Sequence, residues 1–256
     1  MLEFIIIVEG PADARIATHL VERILVEKIE WLEPESIQYQ FVWSGLLENT
    51  NHSCWKDIKQ IINQLQLRSG IRLPKYLGHG KAGSLKADGA AASKILTLSK
   101  LLQRTRQVKA VFLLRDLDNQ LERRQGLEQA RLEHADRKTE LEIVVGTADP
   151  KREAWVLNGF IPNNSTEEKA VKDIEAQLTF HPCQEAHRLR YTSKEEPERI
   201  RNSKVVIELL ANSNNSREQQ CWEETDLDFL RKQGVKTGLA AYLLEIEERI
   251  VPILGA

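Results

Sequence analysis

Residues 4–11 read Phe-Ile-Ile-Ile-Val-Glu-Gly-Pro, and this stretch decides the fold class. An unbroken apolar run rich in β-branched residues is typical of a strand that is buried on both faces of a sheet. The strand is expected to end at Glu9-Gly10, because Pro11 suits the first position of a helix. Apolar residues then recur at helical spacing as far as Leu25. The segment therefore predicts a strand followed directly by a helix, which is the repeating unit of an α/β fold.

The same alternation continues through the first 160 residues. Further strands are predicted at about 37–43, 71–77, 108–114 and 141–145. Helices are predicted at 54–67, 84–106, 119–138 and from Asp149-Pro150 to Asn158. After residue 160 the pattern predicts only helices, at 166–177, 197–211, 223–232 and 235–250. We therefore expect an α/β core at 1–160, with a mainly parallel sheet flanked by helices, and a helical C-terminal region at 161–256.

The charge of the chain is balanced overall but uneven along its length. Its 256 residues include 36 basic and 38 acidic side chains, which give a formal net charge of −2. This balance argues against a histone-like or polybasic protein. Residues 68–109, however, hold ten Lys or Arg and a single acid, Asp88. A basic segment within an otherwise acidic chain is compatible with an anionic partner.

The sequence also indicates where the protein works. No apolar run approaches the roughly 20 residues that a membrane-spanning helix needs, and the N-terminal residues lack the basic start of a signal peptide. Cys54, Cys183 and Cys221 lie far apart and form no CxxC or Cys/His pattern. We therefore expect a reduced, cytoplasmic setting and no structural zinc site.

Acidic residues stand at the ends of three predicted strands and in the helices that follow them. They are Glu9, Asp13, Asp116, Asp118, Asp149 and Glu153. Ligands of open parallel sheets bind beyond the carboxyl ends of the strands, so we expect these carboxylates at one edge. Clustered carboxylates repel one another and are stabilised by a cation, and oxygen-only ligands suit Mg²⁺ or Mn²⁺. The plainer alternative is that Asp116, Asp118 or Asp149 caps a helix.

The order of these acids carries a resemblance to a known family. Glu9-Gly10 ends one apolar strand, and Asp116-x-Asp118 ends another about a hundred residues later. In these two places the chain resembles the TOPRIM domain. This family includes type IA and type II topoisomerases, bacterial primases, small RNA-maturation nucleases and the overcoming-lysogenization-defect (OLD) nucleases. Residues 7–13 look most like the OLD-type version, and residues 150–155 are similar to a stretch in stand-alone TOPRIM-like bacterial proteins. The resemblance covers roughly residues 3–160.

The resemblance implies a role for each acid. Glu9 would be the general acid/base or a metal ligand, Asp116 and Asp118 would bind Mg²⁺, and Asp13 and Glu153 would complete one or two metal sites. The implied chemistry is phosphodiester transfer or hydrolysis. Hydrolysis is favoured because no tyrosine stands in a context that suggests a topoisomerase nucleophile. The sequence contains no GxxxxGK[ST] motif, so the ATPase that accompanies OLD nucleases is either supplied by a partner protein or not needed.

A glycine-rich loop has a second interpretation. Residues 78–83, Gly-His-Gly-Lys-Ala-Gly, match the GxGxxG pattern of dinucleotide-binding folds. The acid that this fingerprint expects about 20 residues later is replaced by a basic region, which argues against a nicotinamide or flavin cofactor. The backbone amides of such a loop can contact nucleic-acid phosphates. We expect that contact from His79, Gly80, Lys81 and Lys86.

These observations lead to one main hypothesis and two alternatives. The main hypothesis is a cytoplasmic, Mg²⁺-dependent (or Mn²⁺-dependent) TOPRIM-type nuclease that cleaves DNA or RNA, with phage defence or repair as its setting by analogy. The first alternative is a non-catalytic TOPRIM-like module that binds nucleic acid or an ATPase partner. The second is an enzyme that transfers phosphate to or from a small molecule, which would require a closed pocket.

Overall fold

A computed structural model describes residues 1–69, 79–80, 83–135, 140–193, 195 and 198–255. The strand predicted at 71–77 and the residue Lys81 lie outside these ranges. The chain forms two compact units that are interleaved in sequence. The first comprises residues 1–115, 120–146 and 244–256, and the second comprises residues 116–119 and 147–243. The sequence-based division, by contrast, was a single boundary near residue 160.

A mainly parallel sheet is the centre of the fold. The described strands are β1 (Leu2–Val8), β2 (Phe41–Ser44), β3 (Ser53–Cys54), β4 (His79–Gly80), β5 (Gly83–Ser84), β6 (Val108–Asp116) and β7 (Glu142–Ala148). The main sheet has the order β2-β1-β6-β7, and β3 also pairs with β1. β1 runs parallel to β2, β3 and β6, whereas β4 and β5 form a separate antiparallel pair. The predicted α/β class with a mainly parallel sheet is confirmed.

Helices flank this sheet. Helices also make up most of the regular structure in the second half of the chain. They are α1 (Pro11–Lys28), α2 (Ile58–Ser69), α3 (Gly89–Leu102), α4 (Glu122–His134), α5 (Arg152–Asn158), α6 (Ser165–Leu178), α7 (Ser203–Leu210), α8 (Asn215–Glu223), α9 (Leu227–Gln233), α10 (Leu239–Arg249) and α11 (Val251–Leu254). In the parts of the chain that the structure describes, no helix combines the length and the apolar character needed to cross a membrane.

Several elements begin later than the sequence predicts, and local reasons explain two of them. Residues 37–39 belong to a 3₁₀ helix, Pro34–Tyr39, so the strand expected from residue 37 begins at Phe41. The helix expected from residue 84 begins at Gly89. Residues 83–84 pair as a strand, and Asp88 has a left-handed backbone (φ +63°) that a helix cannot include.

The first unit buries both faces of its sheet. On one face, Ile5 and Ile7 of β1 pack in a core cluster with Val111 and Leu113 of β6 and with apolar residues of α2, α3 and α4. The other face is aromatic, and the rings of Phe4 and Phe41 stack there with their centroids 4.4 Å apart. Successive side chains of a strand point to opposite faces, which is why one apolar run serves two cores.

That aromatic face is covered by α1. The indole nitrogen of Trp43 in β2 donates a hydrogen bond of 2.9 Å to Oε1 of Glu22 in α1. The α1 residues from Ile16 to Leu25 that recur at helical spacing are buried, as the sequence predicts. The strand–helix unit that opens the chain is therefore confirmed, with Pro11 as the first residue of α1.

The second unit is helical and is built around polar contacts as well as apolar ones. The rings of Trp155 and Tyr242 stack with centroids 5.2 Å apart, and the indole nitrogen of Trp155 donates to the Thr237 carbonyl at 2.8 Å. Gly238 has φ +82°, and a Cβ there would meet the Thr147 carbonyl oxygen. Both constraints require glycine at this turn.

The contact between α3 and α4 provides a test of the fold. A Cβ added at Gly126 of α4 would lie 2.0 Å from the Ala87 carbonyl oxygen and 2.8 Å from the Gly89 nitrogen. We expect Gly126→Ala to lower the free energy of unfolding by about 1–3 kcal/mol, because the backbone must move apart. Urea denaturation of the purified protein measures this difference.

The matched control is Gly10→Ala. The nearest atom to a Cβ at Gly10 is 3.8 Å away, and the backbone there is extended. We expect this variant to stay within about 0.5 kcal/mol of the wild type. Equal destabilisation by the two substitutions, or a more stable Gly126→Ala variant, would contradict the close approach of α3 and α4.

Candidate functional site

In the first unit, an arginine holds the carboxylate that follows β1. Nη1 of Arg115 donates to Oε1 of Glu9 at 2.5 Å, and Nε of Arg115 donates to Oδ2 of Asp88 at 2.8 Å. The Arg115 guanidinium also lies over the Trp55 ring, 5.3 Å from its centroid. The Arg115 side chain is 14% exposed and that of Glu9 is 33% exposed. The predicted general acid/base is therefore fixed in an ion pair but remains accessible to solvent.

Asp13 stabilises the start of α1. Its Oδ2 accepts a hydrogen bond of 2.7 Å from the Gly10 amide, which is one of the amides left unpaired at a helix N-terminus. A carboxylate in the first turn is also favoured by the helix dipole. In this structure Asp13 therefore acts as a first-turn acid of α1.

Cys54 lies near Glu9 and Asp13. It pairs with Val8 in the register of β1 and β3. The pKa of the Cys54 thiol is raised chiefly by burial and next by the Asp57 carboxylate, with smaller contributions from Asp13 and Glu9. The end of β1 in the first unit therefore gathers several acids around one thiol, in a negative environment that disfavours the thiolate.

In the second unit, three of the predicted acids meet one short segment, residues 151–153. Oδ1 of Asp116 accepts a hydrogen bond of 2.9 Å from the Arg152 amide, at the start of α5. Oδ1 of Asp118 lies 3.5 Å from Nζ of Lys151. Oε1 of Glu153 accepts from Nη2 of Arg152 at 2.9 Å, and the Glu153 side chain is only 11% exposed. Asp116 and Asp118 thus each contact a residue within two positions of Glu153 in the chain.

The loop after β6 differs from the expected extended segment. Asp118 and Asn119 have left-handed backbones, with φ +46° and φ +64°. Hydrogen bonds from the Leu117 amide to the Ala148 carbonyl and from the Asp118 amide to the Pro150 carbonyl hold the loop. Asp116 is the last residue of β6, whereas Asp118 lies in the loop, so the two carboxylates do not share one extended segment. Uncommon φ values of this kind are concentrated at functional sites.

Asp149 has a partner that the sequence did not indicate. Nη1 of Arg190 lies 2.9 Å from Oδ1 of Asp149, and Nη1 of Arg190 also donates to Oδ1 of Asn119 at 3.1 Å. His187 is close by, and its pKa is lowered chiefly by burial and next by Lys236. Arg190 and His187 come from the region predicted only as a helical extension, and no motif marked either of them.

Glu218 of α8 is a further residue that sequence reasoning missed. Its pKa is raised chiefly by burial, while Arg152 acts in the opposite direction and Glu153 adds to the rise. A carboxyl group with a raised pKa beside a second carboxylate is a common feature of functional sites. Glu218 lies 65 positions beyond Glu153, in a polar stretch that contains no recognisable motif, so the sequence did not indicate its role.

The predicted nucleic-acid contacts are only partly described. The backbones of His79 and Gly80 pair with β5, and Lys81 lies outside the described residues. Lys86 is exposed, and its amide donates to Oε1 of Gln129 at 3.0 Å. Lys86 is therefore available at the surface of the first unit for an anionic partner.

The donor set was tested for its fit to a divalent cation. All five predicted ligands offer carboxylate oxygens, which is the chemistry that Mg²⁺ and Mn²⁺ prefer. Within the described residues, no three His, Cys, Asp or Glu side chains form a group able to hold a metal ion. The residues therefore match Mg²⁺ in ligand type but, within the described residues, not in their arrangement, and Glu9, Asp118 and Glu153 each contact a basic side chain.

The Arg115 network gives a stability prediction. We expect Arg115→Met to lower the free energy of unfolding by about 2 kcal/mol, because Glu9 would keep its charge without Arg115, and Asp88 would keep the longer contact of 3.7 Å to Arg123. Arg104→Met is the control, since Arg104 is exposed, and should change stability by less than about 0.5 kcal/mol. Urea denaturation curves that coincide for the two variants would disprove the role of Arg115.

Glu218 gives a prediction about pH. A carboxyl group whose pKa is raised in the folded state destabilises that state once the pH rises above the unfolded value of about 4.3. We therefore expect Glu218→Gln to melt at a higher temperature than the wild type at a pH of about 8, with the difference disappearing near pH 4. Glu168→Gln, at an exposed position, should have the melting temperature of the wild type at both pH values. A difference between Glu218→Gln and the wild type that is larger at acid pH than at the higher pH would contradict the prediction.

Comparisons with protein-family models, with curated proteins and with solved structures found no match to this chain. The candidate site is therefore defined by its own geometry. In the first unit it consists of Glu9 with Arg115 and Asp88, and in the second of carboxylates grouped around residues 151–153.

Proposed function

We propose that the protein is a Mg²⁺-dependent (or Mn²⁺-dependent) phosphodiesterase of TOPRIM type that hydrolyses DNA or RNA. The observation that supports this proposal lies in the second unit, where Asp118 contacts Lys151, Asp116 accepts from the Arg152 amide, and Glu153 pairs with the Arg152 side chain. These acids belong to the set that the family resemblance implies, although Asp118 and Glu153 stand 35 positions apart in the chain. Glu9, directly after β1 in the first unit, is the proposed general acid/base.

The proposed metal ligands are Asp116, Asp118 and Glu153, together with Glu9 and Asp13. Bound Mg²⁺ would supply positive charge for the attacking and leaving oxygens of the phosphodiester. The basic partners Lys151 and Arg152 neutralise Asp118 and Glu153 in the absence of a cation. Exchange of these partners for a cation would free both basic side chains to contact a phosphate.

Glu9 meets two requirements of a general acid/base. It is oriented, because Arg115 holds one of its oxygens and is itself held by Asp88. It is also accessible, since one third of its side chain remains exposed to solvent. A positioned carboxyl group that can exchange a proton with substrate or water typically contributes 10²–10⁴-fold to a rate.

The proposed partner is a nucleic acid, contacted by Lys86 and by the loop that contains His79, Gly80 and Lys81. A separate ATPase protein is a second proposed partner, by analogy with the OLD nucleases. Phage defence or nucleic-acid repair would be the setting, and a cytoplasmic location is part of the same proposal. The ATPase partner and the setting follow from the resemblance, whereas the loop contact and the cytoplasmic location follow from the sequence patterns described above.

The second candidate is a non-catalytic module that binds nucleic acid or a partner protein. One observation favours it: Glu9, Asp118 and Glu153 each contact a basic side chain. Acids that are already neutralised in this way need no metal ion for stability. In that case millimolar Mg²⁺ would leave the melting temperature unchanged, because a ligand that binds the folded state must stabilise it.

A nicking assay tests the main proposal. Purified protein is incubated with supercoiled plasmid, and separately with single-stranded DNA and RNA, in millimolar Mg²⁺ or Mn²⁺ or in EDTA. We expect cleavage that requires the metal and falls roughly 100-fold or more in Glu9→Gln and Asp116→Asn. Both substitutions keep the oxygen that accepts the hydrogen bond, from Arg115 and from the Arg152 amide respectively, so the fold should persist.

Glu30→Gln is the matched control, because Glu30 is an exposed acid outside the proposed site, and it should cleave like the wild type. Melting temperatures of all variants are compared so that lost activity is not confused with unfolding. Residual cleavage that is identical in Glu9→Gln, Asp116→Asn and the wild type would refute the assignment. Tight nucleic-acid binding without any cleavage would support the non-catalytic candidate instead.

A further inference from the structure

A cleft in the first unit lies away from the acids discussed so far. It has a volume of about 650 Å³ and lies between α2, with the turn before it, and the first half of α3. Sites for small ligands usually have volumes of 300–1,000 Å³. None of the five predicted metal ligands lines this cleft, so an argument about it is independent of the phosphodiesterase proposal.

The floor of the cleft is apolar. Ile58 and Ile62, one helical turn apart on α2, are buried there, and Trp55, which is 9% exposed, also lines the cleft. Ala90 and Ala91 line the opposite side, on the first turn of α3. Because alanine is small, the two helices leave space above the floor that larger side chains would fill. The floor suits a flat, apolar group.

The rim is cationic. Lys56 and Lys59 are exposed on the α2 side, and Lys94 is half-buried on the α3 side. Among the described residues that line the cleft, none is acidic. Three ammonium groups around one opening repel one another and attract a group with several negative charges, such as a phosphate chain.

Two amide side chains complete the lining. Asn63 and Gln66 continue the stripe of Lys56 and Lys59 along α2, at spacings of four and three residues, which keeps all four on one side of the helix. An amide offers both a hydrogen-bond donor and an acceptor. Such groups can pair with the polar edge of a heterocycle that lies on the apolar floor.

We propose that this cleft binds a nucleotide. The phosphates would contact Lys56, Lys59 and Lys94, the base would lie on Ile58, Ile62 and the Trp55 ring, and Asn63 and Gln66 would bind the edge of the base. Inorganic phosphate would not use the apolar floor, and an uncharged aromatic ligand would not use the three lysines. The nucleotide is either free, as a nucleoside polyphosphate, or the phosphorylated end of a nucleic-acid strand.

The cleft is also connected to the Glu9 network through Trp55. One edge of this indole donates to the Leu114 carbonyl at 2.6 Å, and its ring lies beneath the Arg115 guanidinium that holds Glu9. A base placed on Trp55 would therefore lie close to the residues that orient Glu9.

Isothermal titration calorimetry of the full chain, with metal-free buffer and wild-type protein, tests the proposal. The probes are ATP, AMP, inorganic phosphate, adenosine and a short single-stranded oligonucleotide with a 5′ phosphate. We expect ATP or the oligonucleotide to bind at least roughly tenfold more tightly than phosphate or adenosine. Phosphate lacks the base that would contact the floor, and adenosine lacks the phosphates that would contact the lysines. The tighter of the two identifies the source of the nucleotide.

Two variants locate the site. Lys59→Glu combined with Lys94→Glu should weaken the tighter probe by roughly 100-fold, because two charge-assisted contacts become repulsive. Ala90→Leu should weaken it by roughly tenfold by filling the cleft without changing its charge. Lys172→Glu, an exposed lysine of α6 in the second unit, is the control and should bind like the wild type.

Three results would overturn the proposal: no measurable binding of ATP or the oligonucleotide, binding of inorganic phosphate as tight as that of the tighter of these two probes, or wild-type affinity in the Lys59→Glu/Lys94→Glu variant. Melting temperatures confirm that each variant is folded. Because Glu9 and Asp116 do not line the cleft, Glu9→Gln and Asp116→Asn should bind the probe normally. Failure of the nicking assay and failure of nucleotide binding can therefore be told apart.

Discussion

The burial of β1 on both faces is the constraint on which the first unit depends. All five side chains from Phe4 to Val8 are inaccessible to solvent, and the strand has parallel neighbours on both sides. A strand in this position requires helices on each face, which α1 provides on one and α2, α3 and α4 on the other. The polar residue that follows such a strand is necessarily placed at the edge of the sheet. Glu9 owes its location to this arrangement.

Charge compensation is the second organising feature. In the first unit Arg115 joins Glu9 to Asp88, and in the second unit Lys151 and Arg152 contact Asp118 and Glu153. Each acid therefore has a basic partner, which removes much of the repulsion that the sequence alone suggested. A metal-dependent reaction must exchange these partners, whereas a binding module can retain them. The same ion pairs thus separate the two candidate functions physically.

Much of the fold was predictable because it depends on local patterns. Neighbouring residues alone produce the apolar run before Glu9 and the helical spacing after Pro11. They also produce the apolar runs that form β6 and β7. Some errors in the predicted helix boundaries have equally local causes. The left-handed backbone of Asp88, for example, makes α3 begin later than predicted. The acids of the candidate site were predictable by type, since strand ends in parallel sheets place polar groups at one edge. Their partners were not, as Arg190 lies 41 positions from Asp149 in the chain.

The sequence by itself determined the α/β class, the strand that opens it and the list of acids that end its strands. Only the tertiary structure decided what those acids contact, and it added the raised pKa of Glu218 and the lysine-rimmed cleft between α2 and α3. The physical reason is range. Hydrophobic periodicity acts between residues a few positions apart and is written in the chain, whereas ion pairs, burial and cavities arise between residues that only folding brings together.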